Sequence, residues 1–148
     1  MVNDLMKMKN LKYFLILVVF LQISCFGLFD NGSDHIVGDF YTVWIDEHSN
    51  RALSIKDTDT SFPTVISEYV FSVGHNNHFI IVKQHPKPDR FAENINTKIT
   101  NYYIVDINNS DKFVQKVYGP FDEKSFNNKL KELKVGKIEF DLNYPENP

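Results

Sequence analysis

The sequence contains a single cysteine, Cys25, among its 148 residues. One thiol cannot form a disulfide within the chain, so the fold must be stable without a covalent cross-link. Residues 25–148 are 124 in number, which suits one domain large enough to bury a hydrophobic core without such cross-links. We therefore expect a single domain that is held together by packing.

Acidic residues outnumber basic residues beyond the N-terminal segment. Residues 1–24 hold three lysines and Asp4, so their removal leaves 13 of the 16 basic and 18 of the 19 acidic residues, and the formal charge changes from −3 to −5. No basic stripe or cluster is left to neutralise phosphates. We therefore expect no nucleic-acid partner.

The sequence also lacks a recognisable catalytic constellation, because no serine or cysteine lies at a familiar spacing from a base. Asp46–Glu47 and Asp122–Glu123 are adjacent acidic pairs, and neighbouring side chains diverge in a strand or turn. Asp122 suits a helix N-cap, with Glu123 in the first turn. We therefore expect no enzyme activity, no catalytic residue and no cofactor.

The N-terminal segment carries the strongest positive signal. Three lysines precede an apolar run over residues 13–23, which ends at Ser24 and Cys25; Met1, Met6 and Met8 are all candidate start residues. A basic stretch followed by a short apolar run and a small residue is typical of an export signal.

This segment resembles a bacterial lipoprotein signal peptide. The resemblance implies cleavage before Cys25 and attachment of acyl chains, including palmitate, to that cysteine. Gln22 occupies the position where such signals usually have leucine, and Leu21 lies one residue earlier. The expected location is the bacterial cell envelope, with the protein exported and anchored to a membrane by lipid.

Two other interpretations of the segment remain open. Tyr13–Phe29 comprises 17 residues, which is near the lower limit for an uncleaved transmembrane anchor. A buried core helix with Cys25 as a small hydrophobic residue is the other interpretation, although a basic start suits export better.

Local composition predicts how the whole chain is divided into segments. Residues 1–24 are the signal peptide, residues 25–35 a lipidated tether with a flexible break at 30–33, residues 36–142 a single β-rich domain, and residues 143–148 a frayed tail.

Alternating and apolar runs predict six strands. Residues 41–56 suit a hairpin of two strands, and the remaining four are expected over 64–73, 78–85, 99–107 and 113–118, the last ended by Gly119 and Pro120. The uninterrupted apolar run at 79–82 predicts a central strand that is buried on both faces. The residues after Gly136 alternate, with Ile138, Phe140 and Leu142 on one face, and are a candidate for a short additional edge strand.

One amphipathic helix is expected after Asp122, with Phe126, Leu130 and Leu133 on one face and Gly136 as its stop. The predicted fold class is therefore α+β and mainly β. It consists of an antiparallel meander of about six strands with one C-terminal amphipathic helix packed on the sheet.

Several sequence blocks of the second half resemble a known family. These blocks are Val73-Gly74, Phe79-Ile80-Ile81-Val82-Lys83-Gln84, Tyr102-Tyr103-Ile104-Val105-Asp106 and Tyr118-Gly119-Pro120, followed by Phe126 and Leu133. They are similar to small bacterial lipoproteins catalogued as domain of unknown function 3997. The resemblance implies a secreted, lipid-anchored, β-rich domain and no particular activity.

The histidines and a few polar residues are the remaining candidates for metal-binding or functional sites. His75 and His78 flank a two-residue turn, but His85 would lie about 23 Å from His78 along a strand, so a zinc site lacks its further ligands. Lys83 suits a lysine whose stem lies on apolar surface. Asp106 suits the organiser of the Asn108–Asn109 turn. We therefore expect no metal site, and Cys25 as the only modified residue.

Two functions of different classes are compatible with these observations. The first is a non-enzymatic, membrane-anchored envelope lipoprotein that binds a protein partner, in the manner of an immunity or inhibitor protein. The alternative is a small-ligand or carbohydrate-binding or hydrolytic domain that uses the loop over residues 86–98.

Overall fold

The computed structural model describes residues 31–86, 95–110 and 114–146. Over these ranges the chain forms nine strands in two antiparallel sheets and one α-helix. The N-terminal sheet has the strand order β1-β2-β3-β4, and its strands are β1 (Asn31–Val37), β2 (Phe40–Ile45), β3 (Arg51–Ile55) and β4 (Thr64–Ile66).

The C-terminal sheet has the order β8-β7-β6-β5-β9 and carries the helix. Its elements are β5 (Val70–His75), β6 (Phe79–Gln84), β7 (Asn101–Asp106), β8 (Lys116–Phe121), β9 (Leu142–Asn143) and the helix α1 (Glu123–Glu132). A short 3-10 turn at Ile107–Asn109 follows β7, and the Asp106 side chain accepts a hydrogen bond from the Asn109 amide as its cap. The predicted mainly β fold with one helix on a sheet is confirmed.

The two faces of the C-terminal sheet belong to different cores. Ile80 and Val82 of β6 pack in a cluster with residues of the N-terminal sheet, including Phe40 and Leu53. Ile81, which points to the other face, packs in a second cluster with Phe126 of α1 and its neighbours. Strand β6 is therefore buried on both faces, as its uninterrupted apolar run predicts.

Helix α1 begins and ends with defined caps. The Asp122 carboxylate accepts a hydrogen bond from the Ser125 amide at 2.7 Å, as expected for an N-cap. The amides of Lys134 and Val135 donate to the carbonyls of Lys131 and Leu130, and Lys134 has a φ of 53°. The helix is therefore ended by Lys134 in the left-handed conformation, and the expectation that Gly136 is the stop is wrong.

The chain passes from the N-terminal sheet to the C-terminal sheet within a segment that the sequence pattern predicts to be one strand. The strand expected over residues 64–73 is two strands, β4 and β5, which belong to different sheets. Tyr69 lies between them with a φ of 71°, a left-handed conformation that bends the backbone out of a continuous strand. The expected strand end at Gly119 and Pro120 is also wrong, because β8 continues to Phe121.

The expected domain limits are too narrow at both ends. Residues 31–35, assigned to the tether, lie in β1 and pair with β2 along their length. Residues 143–146, assigned to the tail, contact both sheets. Asn143 pairs with Ser72, and Tyr144 donates its amide to the Phe71 carbonyl at 2.9 Å.

Among the described residues, no helix has the length and apolar character needed to cross a membrane.

Candidate functional site

The outer face of the N-terminal sheet is left open by the other residues that the structure describes. Side chains alternate along a strand, so Thr42 and Phe40 of β2 point into the protein, whereas Tyr41, Val43 and Ile45 point outward. Ile45 is 58% exposed, which is high for a large apolar side chain. A groove of about 410 Å³ lies along this face between β1, β2 and the connection from β3 to β4.

Small side chains create this groove. Ser33 pairs with Val43 on one side, and Ala52 pairs with Val43 on the other. Neither neighbour is long enough to cover Val43, so the groove has an apolar floor formed by Val43 and Ile45, with Phe62 at its wall. A smaller recess of about 160 Å³ continues past Ala52 towards Thr64. We call this surface the outer groove.

Aromatic rings form a row at one end of the outer groove. The Tyr41 ring meets the Phe62 ring edge-on at a centroid distance of 5.5 Å and the His35 ring at 5.0 Å. The His35 Nε2 atom lies 2.8 Å from the Gly38 carbonyl oxygen. These contacts hold Phe62 over the sheet face and give the groove a defined wall.

The surroundings of the outer groove are acidic. Residues 31–68 contain seven acidic and two basic residues. The two basic residues are neutralised locally, Arg51 by Asp34 and Lys56 by Asp59, whose Oδ1 lies 2.8 Å from Lys56 Nζ. The hydrogen bond and charge of Asp59 raise the pKa of the Lys56 amine, and the same contact lowers the pKa of the Asp59 carboxyl.

The inner face of the same sheet holds a buried arginine. Arg51 is only 2% exposed, and its guanidinium lies 3.9 Å from the ring centroids of both Trp44 and Tyr144. Its Nη1 donates to Asp34 Oδ2 at 2.6 Å and to Thr42 Oγ1 at 2.9 Å. A cation between two aromatic faces and a carboxylate is a stable arrangement inside a protein. We call this group of five residues the arginine clamp.

Neighbouring residues keep the Trp44 ring in place. The ring stacks on His48 at a centroid distance of 4.7 Å, and it packs so closely over Gly32 that a side chain at residue 32 would collide with it. Glycine is therefore required at this point of β1, because another element approaches its backbone. The hairpin between β2 and β3 and strand β1 both contribute to the clamp.

The segment over residues 142–146 joins the two sheets. Thr42 donates to the Tyr144 hydroxyl at 3.2 Å, and Ser72 donates to the Asn143 side chain at 2.8 Å. Burial raises the pKa of the Tyr144 phenol. Glu146 approaches His85 Nε2 at 3.0 Å, and the other ring nitrogen lies 2.8 Å from the Ile99 carbonyl oxygen.

Several residues considered in the sequence have structural roles. Asn76 organises the turn between the two histidines, because its side chain accepts from the amides of His78 and Phe79 and donates to the Val135 carbonyl. In the part of the chain that the structure describes, no group of three or more His, Cys, Asp or Glu side chains is placed to hold a metal ion. Lys83 lies on apolar surface, with its ammonium 4.4 Å from the Phe140 ring centroid.

Other predicted features lie outside the described residues. Cys25 and the whole segment before residue 31 are among them, as is most of the 86–98 loop, of which the structure describes residues 86 and 95–98. Lipid attachment at Cys25 and use of the loop for a ligand therefore stay predictions.

The arginine clamp is not among the sites predicted from the sequence. Arg51, Leu53 and Ile55 alternate in β3, and this pattern places the arginine on the same face as two core residues. That position was a usable signal for a buried cation. Its partners Asp34 and Tyr144 carry no comparable signal, because both lie in segments that the composition assigns to a tether and a tail.

The fold and this surface define a small antiparallel β-protein with one sheet covered by a helix and another sheet open on its outer face. The chain belongs to the family described as "Protein of unknown function (DUF3997)", whose model matches residues 37–144 and so extends from the end of β1 to Tyr144. This match confirms the family resemblance. No curated protein and no solved structure matches the chain.

Proposed function

We propose that this protein is a lipoprotein of the bacterial cell envelope whose domain binds a protein partner without catalysing a reaction. The basic and apolar segment over residues 7–23, followed by Ser24 and Cys25, supports the anchor. An immunity or inhibitor protein, which shields the cell by occupying a surface of another protein, is the role that this combination fits best.

The observation that carries the binding role is the outer groove. Ile45 is more than half exposed beside Val43 and Phe62, and the groove is open to solvent along the sheet face. An exposed apolar patch rimmed by polar residues is typical of a protein interaction site. An apolar centre with a charged rim is also the usual anatomy of such an interface.

Photo-crosslinking in the native host tests the binding role. A photoreactive amino acid at position 45 lies in the outer groove, whereas the same amino acid at Asn127 lies on the exposed side of α1 and is the matched control. We expect a discrete adduct with another protein from position 45 and none from position 127. The absence of an adduct from position 45, or equal adducts from both positions, would contradict the proposal.

The anchor is tested separately by intact mass spectrometry of the protein recovered from membranes. The wild-type protein should lack residues 1–24 and carry acyl chains, and the Cys25→Ala variant should carry none. A wild-type mass that shows neither cleavage nor acylation would refute the lipoprotein proposal and leave the binding role untouched.

A further inference from the structure

Two exposed carboxylates lie next to the Ile45 end of the outer groove. Asp46 and Glu47 directly follow Ile45 and are exposed, whereas Asp59, which precedes Thr60 of the groove wall, is paired with Lys56. Within residues 31–86, 95–110 and 114–146, no basic side chain forms an ion pair with Asp46 or Glu47. The negative charge beside the groove is therefore available to a partner.

This charge is concentrated on one side of the molecule. Residues 31–68 have a net charge of −5, from seven acidic and two basic residues. The described residues from 69 onward contain eight lysines and seven acidic residues, a net charge of +1. Arg51 is buried on the inner face of the N-terminal sheet and is paired there with Asp34, so the exposed charge nearest to the outer groove is that of Asp46 and Glu47.

We propose that the outer groove binds a basic segment of a partner protein, with one apolar side chain of that segment seated between Val43, Ile45 and Phe62. This inference rests on the proposed protein-binding role and names the chemistry of the partner. The apolar side chain provides the buried contact, and lysine or arginine side chains next to it meet Asp46 and Glu47.

The same charges exclude other occupants. A second copy bound through the same groove would bring two Asp46–Glu47 pairs together, and like charges in contact oppose association. An anionic membrane surface or a nucleic acid would be repelled for the same reason. A basic polypeptide is the occupant that gains from both features of the surface.

The test uses the purified full chain in detergent and a phage-displayed library of random dodecapeptides as the probe. We expect enriched peptides with lysine or arginine next to an aliphatic or aromatic residue. Binding kinetics of one enriched peptide are then measured on the wild type and three variants at low and at high salt.

The first variant, Ile45→Ser, removes the apolar contact and should raise the dissociation rate about tenfold or more. The second, Asp46→Asn with Glu47→Gln, removes charge at nearly constant shape, and asparagine tolerates the left-handed backbone at residue 46, whose φ is 70°. It should lower the association rate about tenfold at low salt and much less at high salt.

Glu123→Gln is the matched control, because this exposed carboxylate lies in the first turn of α1. It should leave both rates unchanged. Unchanged circular dichroism and thermal midpoints show that the variants are folded.

Three results would each overturn the inference. They are enriched peptides without basic residues, no enrichment at all, and peptide binding that Ile45→Ser leaves unchanged. Crosslinking at position 45 separates this failure from that of the proposed function. If the crosslinked partner segment is neutral or acidic, protein binding stands and the basic-segment inference falls. If peptides bind as expected but no partner is crosslinked in cells, the surface chemistry stands and the proposed function falls.

Discussion

The C-terminal sheet is covered on both faces, whereas the N-terminal sheet is covered on one. Strand β6 places Ile80 and Val82 against the N-terminal sheet and Ile81 against the helix side. Strand β2 places Phe40 and Thr42 inward, and Tyr41, Val43 and Ile45 face solvent. The same alternation of side chains thus produces a buried layer in one sheet and an exposed apolar surface in the other, depending on what packs outside it.

The two sheets also differ in how their inner faces are held. The shared core is apolar around Leu53, Val73 and Ile80. At the other end of the N-terminal sheet the contact is made by the arginine clamp, which combines an ion pair with two cation–π contacts. An open outer face can therefore coexist with a stable sheet, because the inner face is fixed at both ends by different physical interactions.

The largest expected effect is on the free energy of unfolding, when the same side chain is truncated in each of the two sheets. Ile104→Ala removes a fully buried side chain from the core beneath α1 and should lower the free energy of unfolding by about 2–5 kcal/mol. Ile45→Ala removes the same atoms from the outer groove and should change it by less than about 0.5 kcal/mol. Urea unfolding of both variants measures the contrast, and similar losses would show that the outer face is covered.

A second prediction concerns the joint between the sheets. Arg51→Met keeps an apolar stem but removes the ion pair with Asp34 and the cation between Trp44 and Tyr144. We expect a loss of about 2–3 kcal/mol in unfolding free energy, since two desolvated cation–π contacts and a charge-assisted hydrogen bond disappear.

Lys56→Met is the matched control for that variant. It also breaks an ion pair, but Lys56 and Asp59 lie at the surface, where such pairs add little to stability. Its unfolding midpoint in urea should match that of the wild type. Equal effects of the two substitutions would contradict a special role for the arginine clamp.

The smallest expected effect concerns the helix that covers the C-terminal sheet. Hydrogen bonds from Ser125 lower the pKa of the Asp122 carboxyl, so the folded state favours the charged form. The stabilisation is present above the unfolded pKa of about 4 and is lost as the pH falls through the lower folded value.

Asp122→Ala should therefore be less stable than the wild type at neutral pH, and the difference should shrink on acidification to about pH 3. Asp122→Asn retains a side-chain acceptor for the cap and should lose the pH dependence of the contribution. Thermal midpoints across this pH range measure both effects. A difference between Asp122→Ala and the wild type that does not change with pH would show that the carboxylate charge is irrelevant to the cap.

Local sequence patterns were sufficient to predict the strands and the helix that are specified by residues close together in the chain. The apolar run at 79–82 predicts a strand buried on both faces, and Asp122 with Phe126 predicts the start and the buried face of α1; the structure confirms both. In each case, the signal and the structure that it specifies lie within a few residues of one another.

The features that could not be predicted depend on distant partners. Strand β1 has a polar sequence, Asn-Gly-Ser-Asp-His, and becomes a strand by pairing with β2 and leaving space for Trp44. Tyr69 separates two sheets by a backbone angle that composition does not reveal. The outer groove forms because Ser33 and Ala52, which have small side chains, lie on either side of Val43. Predicting it therefore requires knowledge of the register in which the strands pair.

The hydrogen bond between Thr42 and Tyr144 spans 102 positions of the chain, and this separation imposes an order on folding. Strands β5 and β6 adjoin in both sequence and space, so their pairing needs only a short loop to close. Arg51 stays without one of its two rings until residue 144 has been synthesised and delivered. The N-terminal sheet, although it comes first in the sequence, is therefore the last to be completed.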